Sequence, residues 1–291
     1  MFISGFTIVR NAIKYDYPIV EAISSILPIC DEVIVAVGNS DDDTLTLIQS
    51  IDSPKIKIIE TVWDDSLREG GKVLAVETNK ALAAVSKNAD WCFYIQGDEV
   101  IHETYLPVVT QAMQYYLHDD RIQGLLFKYL HFWGSYRYVA DSPSWYRREI
   151  RVIRNTGKIQ SYKDAQGFRD LYDNKLTVKL IDAFVYHYGY VKPPEIQKEK
   201  LLGVAQFWYD KDALDTFQKR LAQFSYEEEI EALAEFKESQ PAVMTNRLER
   251  YNWQFDFDTN RQNFKLKYRL KRWVEKLTGW RIGEYRNYKL G

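Results

Sequence analysis

Short apolar runs alternate with segments of helical spacing through the first hundred residues. The apolar runs cover residues 2–9, 32–37, 56–62 and 91–95. The segments between them, whose apolar residues recur every three or four positions, are 17–27, 42–51 and 68–86. Uninterrupted apolar strands that alternate with helices predict a parallel sheet with helices on both of its faces. Ligand-binding loops of such a sheet lie at the carboxyl ends of its strands.

The pattern changes after residue 100. One helix is predicted at 103–116, and longer strands, antiparallel or mixed, are predicted at 125–138, 148–154 and 175–188. Pro193 and Pro194 end that run. The segments that follow have helical spacing and are 195–209, 211–221, 227–238 and 264–277. The sequence therefore predicts an α/β fold, with a mostly parallel sheet flanked by helices at 1–190 and a helical C-terminal extension at 191–291.

The composition excludes several classes of protein. With 46% apolar and 27% charged residues, the chain matches a packed globular protein. A net charge of −2 argues against nucleic-acid binding over the whole surface. Two cysteines and four histidines are too few for a disulfide scaffold or a finger-type zinc cluster. We find no 18-residue apolar run, no secretory leader pattern and neither common phosphate-binding glycine loop, and we expect a cytoplasmic location.

Two adjacent acids follow the fourth predicted strand. Asp98 and Glu99 come after Gln96 and Gly97, at the carboxyl end where α/β sheets bind ligands. Glycine allows a sharp turn at this point, and paired carboxylates suit a hard cation such as Mg²⁺ or Mn²⁺. The alternative is an acidic turn that caps the following helix, and this segment alone does not separate the two interpretations.

Four short stretches occur in a characteristic order at the ends of these elements. They are Ile8-Val9-Arg10-Asn11, Val37-Gly38-Asn39-Ser40-Asp41-Asp42-Asp43-Thr44, Thr78-Asn79-Lys80-Ala81 and Gln96-Gly97-Asp98-Glu99. In order, spacing and strand context they resemble glycosyltransferase family 2, which has the GT-A fold. The resemblance covers residues 2–190, which would form a nucleotide-sugar-binding catalytic domain. Two positions depart from the family pattern, because Gly38 and Gln96 stand where acids are usual.

The resemblance implies an inverting transfer of a sugar from a nucleotide-diphosphate donor to an acceptor hydroxyl. The donor-binding residues that it indicates are Arg10, Asn11, Gly38, Asn39, Asn79, Gln96 and Gly97. It implies a divalent metal, Mg²⁺ or Mn²⁺, and Asp98 matches the acid that usually meets this metal. Glu99 and His187 complete the predicted metal set, although His187 could instead be a buried histidine in an aromatic cluster.

A carboxylate general base is needed beside the acceptor hydroxyl. Asp141, Asp164 and Asp170 are candidates, and we favour Asp164 because it lies in a polar, glycine-containing segment ahead of a strand. The alternative is a turn aspartate bonded to local backbone amides. Lys192 is predicted to neutralise the diphosphate. Lys72 and Arg68 are further basic candidates near the donor, beside a turn that more simply opens a helix.

The charge is distributed unevenly along the chain. Residues 264–291 carry nine basic and two acidic side chains, while residues 1–263 carry 30 basic and 39 acidic ones. Trp273 and Trp280 lie within this basic tail. Basic residues with interfacial aromatics favour contact with an anionic membrane, and the alternative is a solvated helix face docked on the core. Membrane contact would place the protein at the inner face of the membrane.

Three functions are compatible with these features. The first is an active transferase acting on a glycan or lipid-linked acceptor in cell-surface glycan assembly. The second is a GT-A domain that binds nucleotide or sugar without transfer, since Gly38 and Gln96 would weaken the donor site. The third is a nucleotidyltransferase, which usually needs a basic, glycine-rich loop after its first strand. Arg10 and Asn11 begin no such loop.

Overall fold

The computed structural model describes residues 1–67, 70–264 and 266–291. Arg68, considered above as a basic candidate near the donor, lies outside these residues. The cysteines, Cys30 and Cys92, are both free and buried. Within the described ranges, no helix is both long and apolar enough to cross a lipid bilayer.

One eleven-stranded mixed sheet forms the centre of the molecule, and a two-stranded sheet lies beside it. The strands are β1 (Ile3–Val9), β2 (Glu32–Gly38), β3 (Ile56–Thr61), β4 (Trp91–Tyr94), β5 (Glu99–Ile101), β6 (Gly124–Trp133), β7 (Ser135–Ala140), β8 (Arg148–Arg154), β9 (Ile159–Tyr162), β10 (Gly167–Asp170), β11 (Leu176–Tyr190), β12 (Leu233–Glu235) and β13 (Tyr288–Leu290). The main order is β12-β7-β6-β8-β4-β1-β2-β3, with β11 pairing β5, β6 and β13. The pairs β4–β1, β1–β2 and β2–β3 are parallel, as predicted for the first hundred residues.

Helices cover both faces of this parallel part. The helices are α1 (Ile19–Ile26), α2 (Thr44–Gln49), α3 (Lys72–Ala83), α4 (Leu106–Tyr115), α5 (Pro194–Ala205), α6 (Lys211–Leu221), α7 (Thr245–Glu249) and α8 (Leu266–Thr278), and two short 3-10 helices are Glu103–Tyr105 and Ala242–Met244. Strand β2 explains the two layers, because its side chains alternate between faces. Val33 and Val35 pack with α1 and α4, whereas Ile34 and Ala36 pack with α3.

The C-terminal region differs from the sequence prediction at one segment. The helix predicted at 227–238 is wrong, because Leu233–Glu235 forms β12 instead and pairs antiparallel with β7. Buried Ile230, Ala232 and Leu233 belong to this segment, so tertiary burial overrides its local helical pattern. β13 also joins the sheet, parallel to β11. The extension predicted to be helical therefore contributes two strands to the main sheet.

One predicted long strand is two strands in the structure. Gly134 ends β6 and lets the chain reverse into β7 with a φ of 69°. A side chain at this position would have its Cβ 2.5 Å from the ring of Phe255. Glycine is therefore required both by the backbone conformation and by the approach of a distant segment.

A buried ion pair joins three parts of the sheet. Arg151 on β8 donates two hydrogen bonds of 2.8 Å to the carboxylate of Glu99 on β5, and the Tyr129 hydroxyl on β6 donates a third, of 2.7 Å. The Arg151 and Glu99 side chains are 1% and 0% exposed. Arg151 also donates to the backbone oxygens of Ile150 and Gln166. Each charge is thus compensated inside the fold, as burial requires.

Removing one partner of this pair should destabilise the fold. Arg151→Met leaves the Glu99 charge buried without its cation, and we expect a loss of about 3–5 kcal/mol in the free energy of unfolding. Urea unfolding followed by circular dichroism measures this loss. Arg121→Met is the control, because the exposed Arg121 pairs with Asp119 at the surface and its removal should cause no measurable change. Equal stability of the wild type and Arg151→Met would contradict the prediction.

Candidate active site

A cavity of about 340 Å³ opens at the carboxyl ends of β1 and β4. Its walls come from many parts of the chain, among them the end of β1, the loops after β3 and β4, the turn between β9 and β10, the end of β11, and α5 with the residues after it. The lining includes Arg10, Tyr17, Trp63, Gln96, Gly97, Asp98, Asp164, His187, Tyr190, Gln197 and Lys200. The cavity lies where parallel sheets bind their ligands.

Asp98 forms the charged centre of the cavity. Its Oδ2 accepts a 3.0 Å hydrogen bond from Nζ of Lys200 and lies 3.7 Å from Nε2 of His187. Burial would raise the pKa of Asp98, but the ammonium of Lys200 outweighs it and holds this pKa well below its usual range. Asp98 is therefore a carboxylate anion with a resident ammonium partner.

His187 is oriented by a second histidine. The Nδ1 atoms of His187 and His131 are 3.1 Å apart, and Nε2 of His131 lies 2.8 Å from the backbone oxygen of Tyr146. Burial lowers the pKa of both histidines, which favours the neutral rings. A carbonyl oxygen only accepts, so His131 carries its proton on Nε2 and accepts from His187 through Nδ1. This network leaves the lone pair of His187 on Nε2, toward Asp98.

Gly189 allows this close approach. A Cβ at position 189 would lie 2.7 Å from Nε2 of His187 and 2.9 Å from Oδ2 of Asp98. The absence of a side chain therefore makes room for the imidazole and the carboxylate to face one another. His187 lines the cavity, and it also lies among aromatic rings that include Tyr190, so both interpretations of this residue remain predictions.

The structure contradicts the metal-ligand role predicted for Glu99. Its side chain points into the protein interior, where Arg151, Tyr129 and the backbone amide of Gln96 occupy both carboxylate oxygens. Asp98 lies in the turn before β5 and lines the cavity, whereas Glu99 begins β5 with its side chain fully buried. The acidic pair separates into one cavity residue and one interior residue.

The predicted divalent metal fits this arrangement poorly. Of the predicted set, only Asp98 and His187 reach the cavity, and Lys200 already bonds to Asp98. Across residues 1–67, 70–264 and 266–291, no group of three or more His, Cys, Asp or Glu side chains is arranged to hold a metal ion. Mg²⁺ and Mn²⁺ prefer several oxygen ligands, which the described side chains do not supply.

Asp164 lines the cavity as predicted for the catalytic base. It lies in a turn between Lys163 and Ala165, which both have positive φ values, 53° and 61°. Such backbone is uncommon outside glycine and often occurs at functional sites. Burial raises the pKa of Asp164 above its ordinary value, against opposing backbone hydrogen bonds within the turn. A raised pKa suits a carboxylate that must accept a proton.

The other two candidate acids lie elsewhere. Asp141 forms an ion pair with Arg272 of α8. Asp170 accepts hydrogen bonds from Tyr172 and Asn174, which makes it a turn residue of the kind considered as the alternative for Asp164. Neither residue lines the cavity.

Gln96 connects the loop after β4 to the Asp164 turn. Its Nε2 donates a 3.2 Å hydrogen bond to the backbone oxygen of Ala165. The amide that replaces the usual acid therefore has a structural partner and also lines the cavity. Gly97 lines the cavity too, but its φ is not positive and a Cβ there would make only ordinary contact with Ile19, at 3.5 Å. The sharp turn predicted at Gly97 does not require glycine.

Trp63 explains why residue 38 is a glycine. A Cβ at Gly38 would lie 2.3 Å from Nε1 of Trp63, so the indole occupies the space of the missing side chain. Asn39 accepts a hydrogen bond from the Trp63 amide, and Arg10 donates to the Asn39 backbone oxygen while its guanidinium lies 5.7 Å from the Trp63 ring. Arg10 lines the cavity, and Gly38 and Asn39 support its wall.

Besides Gly38 and Asn39, three more predicted donor-binding residues lie outside the main cavity. Asn11, in the loop after β1, exchanges hydrogen bonds with Asp41 in the loop after β2 and lines two neighbouring depressions. Asn79 accepts from the Ser161 amide and lines a separate cavity, which contradicts its predicted role. Lys192 is fully buried and donates to the backbone oxygens of residues 15 and 16. The diphosphate role predicted for Lys192 is therefore wrong, because its ammonium holds a loop.

Lys200, Trp63 and His131 are among the site residues that the sequence prediction missed. A signal existed for two of them. The cavity face of α5 includes Gln197, Lys200 and Val204, whose spacing of three and four is helical. Trp63 follows β3, so the rule about carboxyl ends applies to it as well. For His131, no local pattern shows that it meets His187 across β6 and β11.

Solved structures resemble this chain, whereas no protein-family model and no curated protein matches it. S. aureus TarS 1–349 has 14% identity and a TM-score of 0.40, over 76% of this chain and 71% of TarS 1–349. Glucosyl-3-phosphoglycerate synthase from Mycobacterium tuberculosis, solved with Mn²⁺, UDP and phosphoglyceric acid, has 24% identity and a TM-score of 0.31, over 45% of this chain and 43% of that one.

Glu149 contacts the turn that carries Asp164 through a hydrogen bond with Gln166. It is buried on β8 and accepts a 2.8 Å hydrogen bond from Nε2 of Gln166. Burial raises the pKa of Glu149 to about 8, against the opposing charge of Arg151. At neutral pH the protonated form therefore predominates, and it holds the turn without adding a negative charge beside Asp164.

This raised pKa predicts a pH-dependent stability. Glu149 binds its proton more tightly in the folded state than at its ordinary pKa of 4.5, so its contribution is complete below pH 4.5 and is lost as the pH rises toward 8. The loss approaches about 1.4 kcal/mol per pH unit within that window. Urea unfolding between pH 5 and pH 8 should show this slope in the wild type and a flatter one in Glu149→Gln. Glu60→Gln, at an exposed position, should keep the wild-type slope. An unchanged slope in Glu149→Gln would show that another group titrates.

Proposed function

We propose that this protein transfers a sugar from a nucleotide-diphosphate donor to an acceptor hydroxyl. The observation that supports this most directly is the meeting of Asp164 with the Asp98–Lys200–His187 group around one cavity. A base for the acceptor and positive charge for the leaving diphosphate are the two chemical requirements of such a transfer. Both requirements have candidate residues at the carboxyl ends of the strands.

The cavity has features that suit a nucleotide. Trp63, Tyr17 and Tyr190 offer aromatic surfaces, and Arg10 offers a guanidinium. The buried Nε1 of Trp63 and Nε2 of Gln197 have no hydrogen-bond partner among the described residues. Native proteins seldom leave such donors unpaired, so a polar ligand in the cavity would satisfy them. Carbonyl, hydroxyl and phosphate oxygens of a nucleotide supply the required acceptors.

Asp164 acts as the general base in the proposed reaction. It takes the proton of the acceptor hydroxyl while that oxygen attacks the anomeric carbon of the donor sugar. The bond from the anomeric carbon to the diphosphate oxygen breaks, and the electron pair leaves with the nucleoside diphosphate. One direct displacement of this kind inverts the anomeric centre. No step is assigned to a metal, because the described side chains do not assemble a ligand set.

The alternatives differ in what they predict for catalysis. A binding module would take up the nucleotide and would release no diphosphate product from a nucleotide sugar. A nucleotidyltransferase would attack a phosphorus atom and release pyrophosphate. The raised pKa and cavity position of Asp164 favour the glycosyl transfer, since neither alternative needs a base at that place.

Asp164→Asn should abolish most of the transfer. The amide keeps the shape of the side chain but accepts no proton, and we expect the rate of UDP or GDP release from a panel of nucleotide sugars to fall by roughly 100- to 10,000-fold. Nucleotide binding, measured by calorimetry, should stay within about threefold of wild type, a change of less than about 0.7 kcal/mol. Asp173→Asn is the matched control, because this exposed residue after β10 should leave both quantities unchanged. Full activity of Asp164→Asn would transfer the base role to another acid.

We also propose that α8 contacts an anionic membrane surface. The helix presents its polar side to the protein, where Arg272 pairs with Asp141 and Glu275 pairs with Arg147 and Arg281. Its outward side carries an apolar stripe beside the exposed Arg269: Leu270, Trp273, Leu277 and the following Trp280 are 61%, 62%, 66% and 56% exposed. A soluble helix normally has the opposite arrangement. The outward apolar stripe within a tail of net charge +7 matches an interfacial helix.

This contact would bring the cavity close to a glycan or lipid-linked acceptor at the inner face of the membrane. Flotation with vesicles of phosphatidylcholine and phosphatidylglycerol tests it directly. Wild-type protein should float with the vesicles at low salt, and the triple variant Leu270→Ser, Trp273→Ser, Leu277→Ser should remain at the bottom. A control that replaces the exposed Val62 and Tyr172 with serine should float like the wild type. Equal flotation of the triple variant would disprove the contact.

A further inference from the structure

Lys200 holds an unusual position for a lysine. Its residue is only 8% exposed, yet it lines the cavity. Nζ donates 3.0 Å to Oδ2 of Asp98 and 2.8 Å to the backbone oxygen of Gly189. The rings of Tyr17 and Tyr190 lie 4.9 and 5.8 Å from the same nitrogen. A carboxylate, a carbonyl dipole and two aromatic rings therefore stabilise one ammonium.

The surrounding fold fixes this ammonium in place. Helix α5 begins at Pro194, immediately after β11 and its exit residues, so Lys200 lies on the second turn of a helix attached to the cavity wall. Tyr226 donates to the backbone oxygen of Lys192 at the same junction. Asp98 and Gly189 come from two further segments. The ammonium is held by groups from three parts of the chain.

An ammonium has three donor hydrogens, and two of them have partners here. Asp98 and Gly189 use these two, so one N–H is available to a ligand in the cavity. Arg10 also lines the cavity, where its Nε donates to the Asn39 backbone oxygen and one Nη donates to Asp65. Lys200 is placed to meet an incoming anion through its third N–H, directly beside Asp98.

We propose that Lys200 supplies the positive charge that binds the donor diphosphate, in the place where a divalent cation was predicted. Asp98 is then a positioning residue, because its carboxylate keeps the Lys200 ammonium charged and fixes its orientation in the cavity. It is not required as a metal ligand. This inference rests on the proposed function, because it assumes that a nucleoside diphosphate enters the cavity. It predicts that nucleotide binding does not depend on a metal ion.

Titration calorimetry with UDP and GDP as probes tests this proposal on the full chain. The wild type is freed of metal by chelation and titrated once in EDTA and once in MnCl₂. We expect the dissociation constant to agree within about twofold between the two conditions, which is less than about 0.5 kcal/mol. If the wild type bound a nucleotide with Mn²⁺ and not in EDTA, this proposal would be overturned while the proposed function stood. If it bound neither nucleotide under either condition, the proposed function would fail first.

Two variants separate charge from structure. Lys200→Met should weaken binding in EDTA by roughly 10- to 100-fold, the range expected for a lost charged hydrogen bond. Because this change leaves Asp98 buried without its cation, the double variant Asp98→Asn, Lys200→Met is measured as well, and it should bind as weakly. Lys198→Met, two residues away on α5 and outside the cavity, should bind like the wild type. Unchanged binding in a folded Lys200→Met or in the folded double variant would refute the role of Lys200. Thermal unfolding by circular dichroism establishes that each variant is folded.

Discussion

The paired charges of Glu99 and Arg151 determine how the cavity is built. Arg151 bridges the carboxylate of β5 and the backbone oxygen of Gln166, so one guanidinium connects the loop after β4 to the turn that carries Asp164. The rings of Tyr94 and Tyr129 lie 5.3 and 5.4 Å from it. A buried charge tolerates little displacement of its partners, because each lost hydrogen bond leaves an uncompensated ion. The geometry of the cavity floor is therefore fixed from the protein interior.

The same principle operates on the cavity side. Asp98 and Glu99 are neighbours in sequence, but they face opposite directions, and each receives its own cation from a distant segment. Arg151 forms an ion pair with Glu99, and Lys200 forms an ion pair with Asp98. The Glu99 pair is closed and structural, whereas Asp98 and Lys200 border open space. One acidic dipeptide thus provides both the support of the site and its electrostatic centre.

Sequence patterns predicted most of the framework. Apolar runs located β1 to β4, and the rule that ligands bind at carboxyl ends led to Asp98 and Gln96. Asp164 was selected from three acids by its local context, and the structure places it alone of the three in the cavity. The failures share one physical cause. The conformation and contacts of Glu99, Lys192 and residues 227–238 depend on partners that are distant in the sequence. No local sequence pattern contains those partners.

Two adjacent acids at a strand end suggest a metal site because their compensating cations are distant in the sequence and no local pattern contains them. Lys200 follows Asp98 by 102 positions, and Arg151 follows Glu99 by 52. Once the fold supplies both cations, the acids no longer need a divalent ion for charge balance. An ammonium that is held by a carboxylate and a carbonyl gives a diphosphate one directed donor, where a metal ion would give several coordination positions. Lys200 would therefore bind the diphosphate more weakly than a metal ion would, and more of the donor affinity would have to come from Trp63, Gln197 and the aromatic wall.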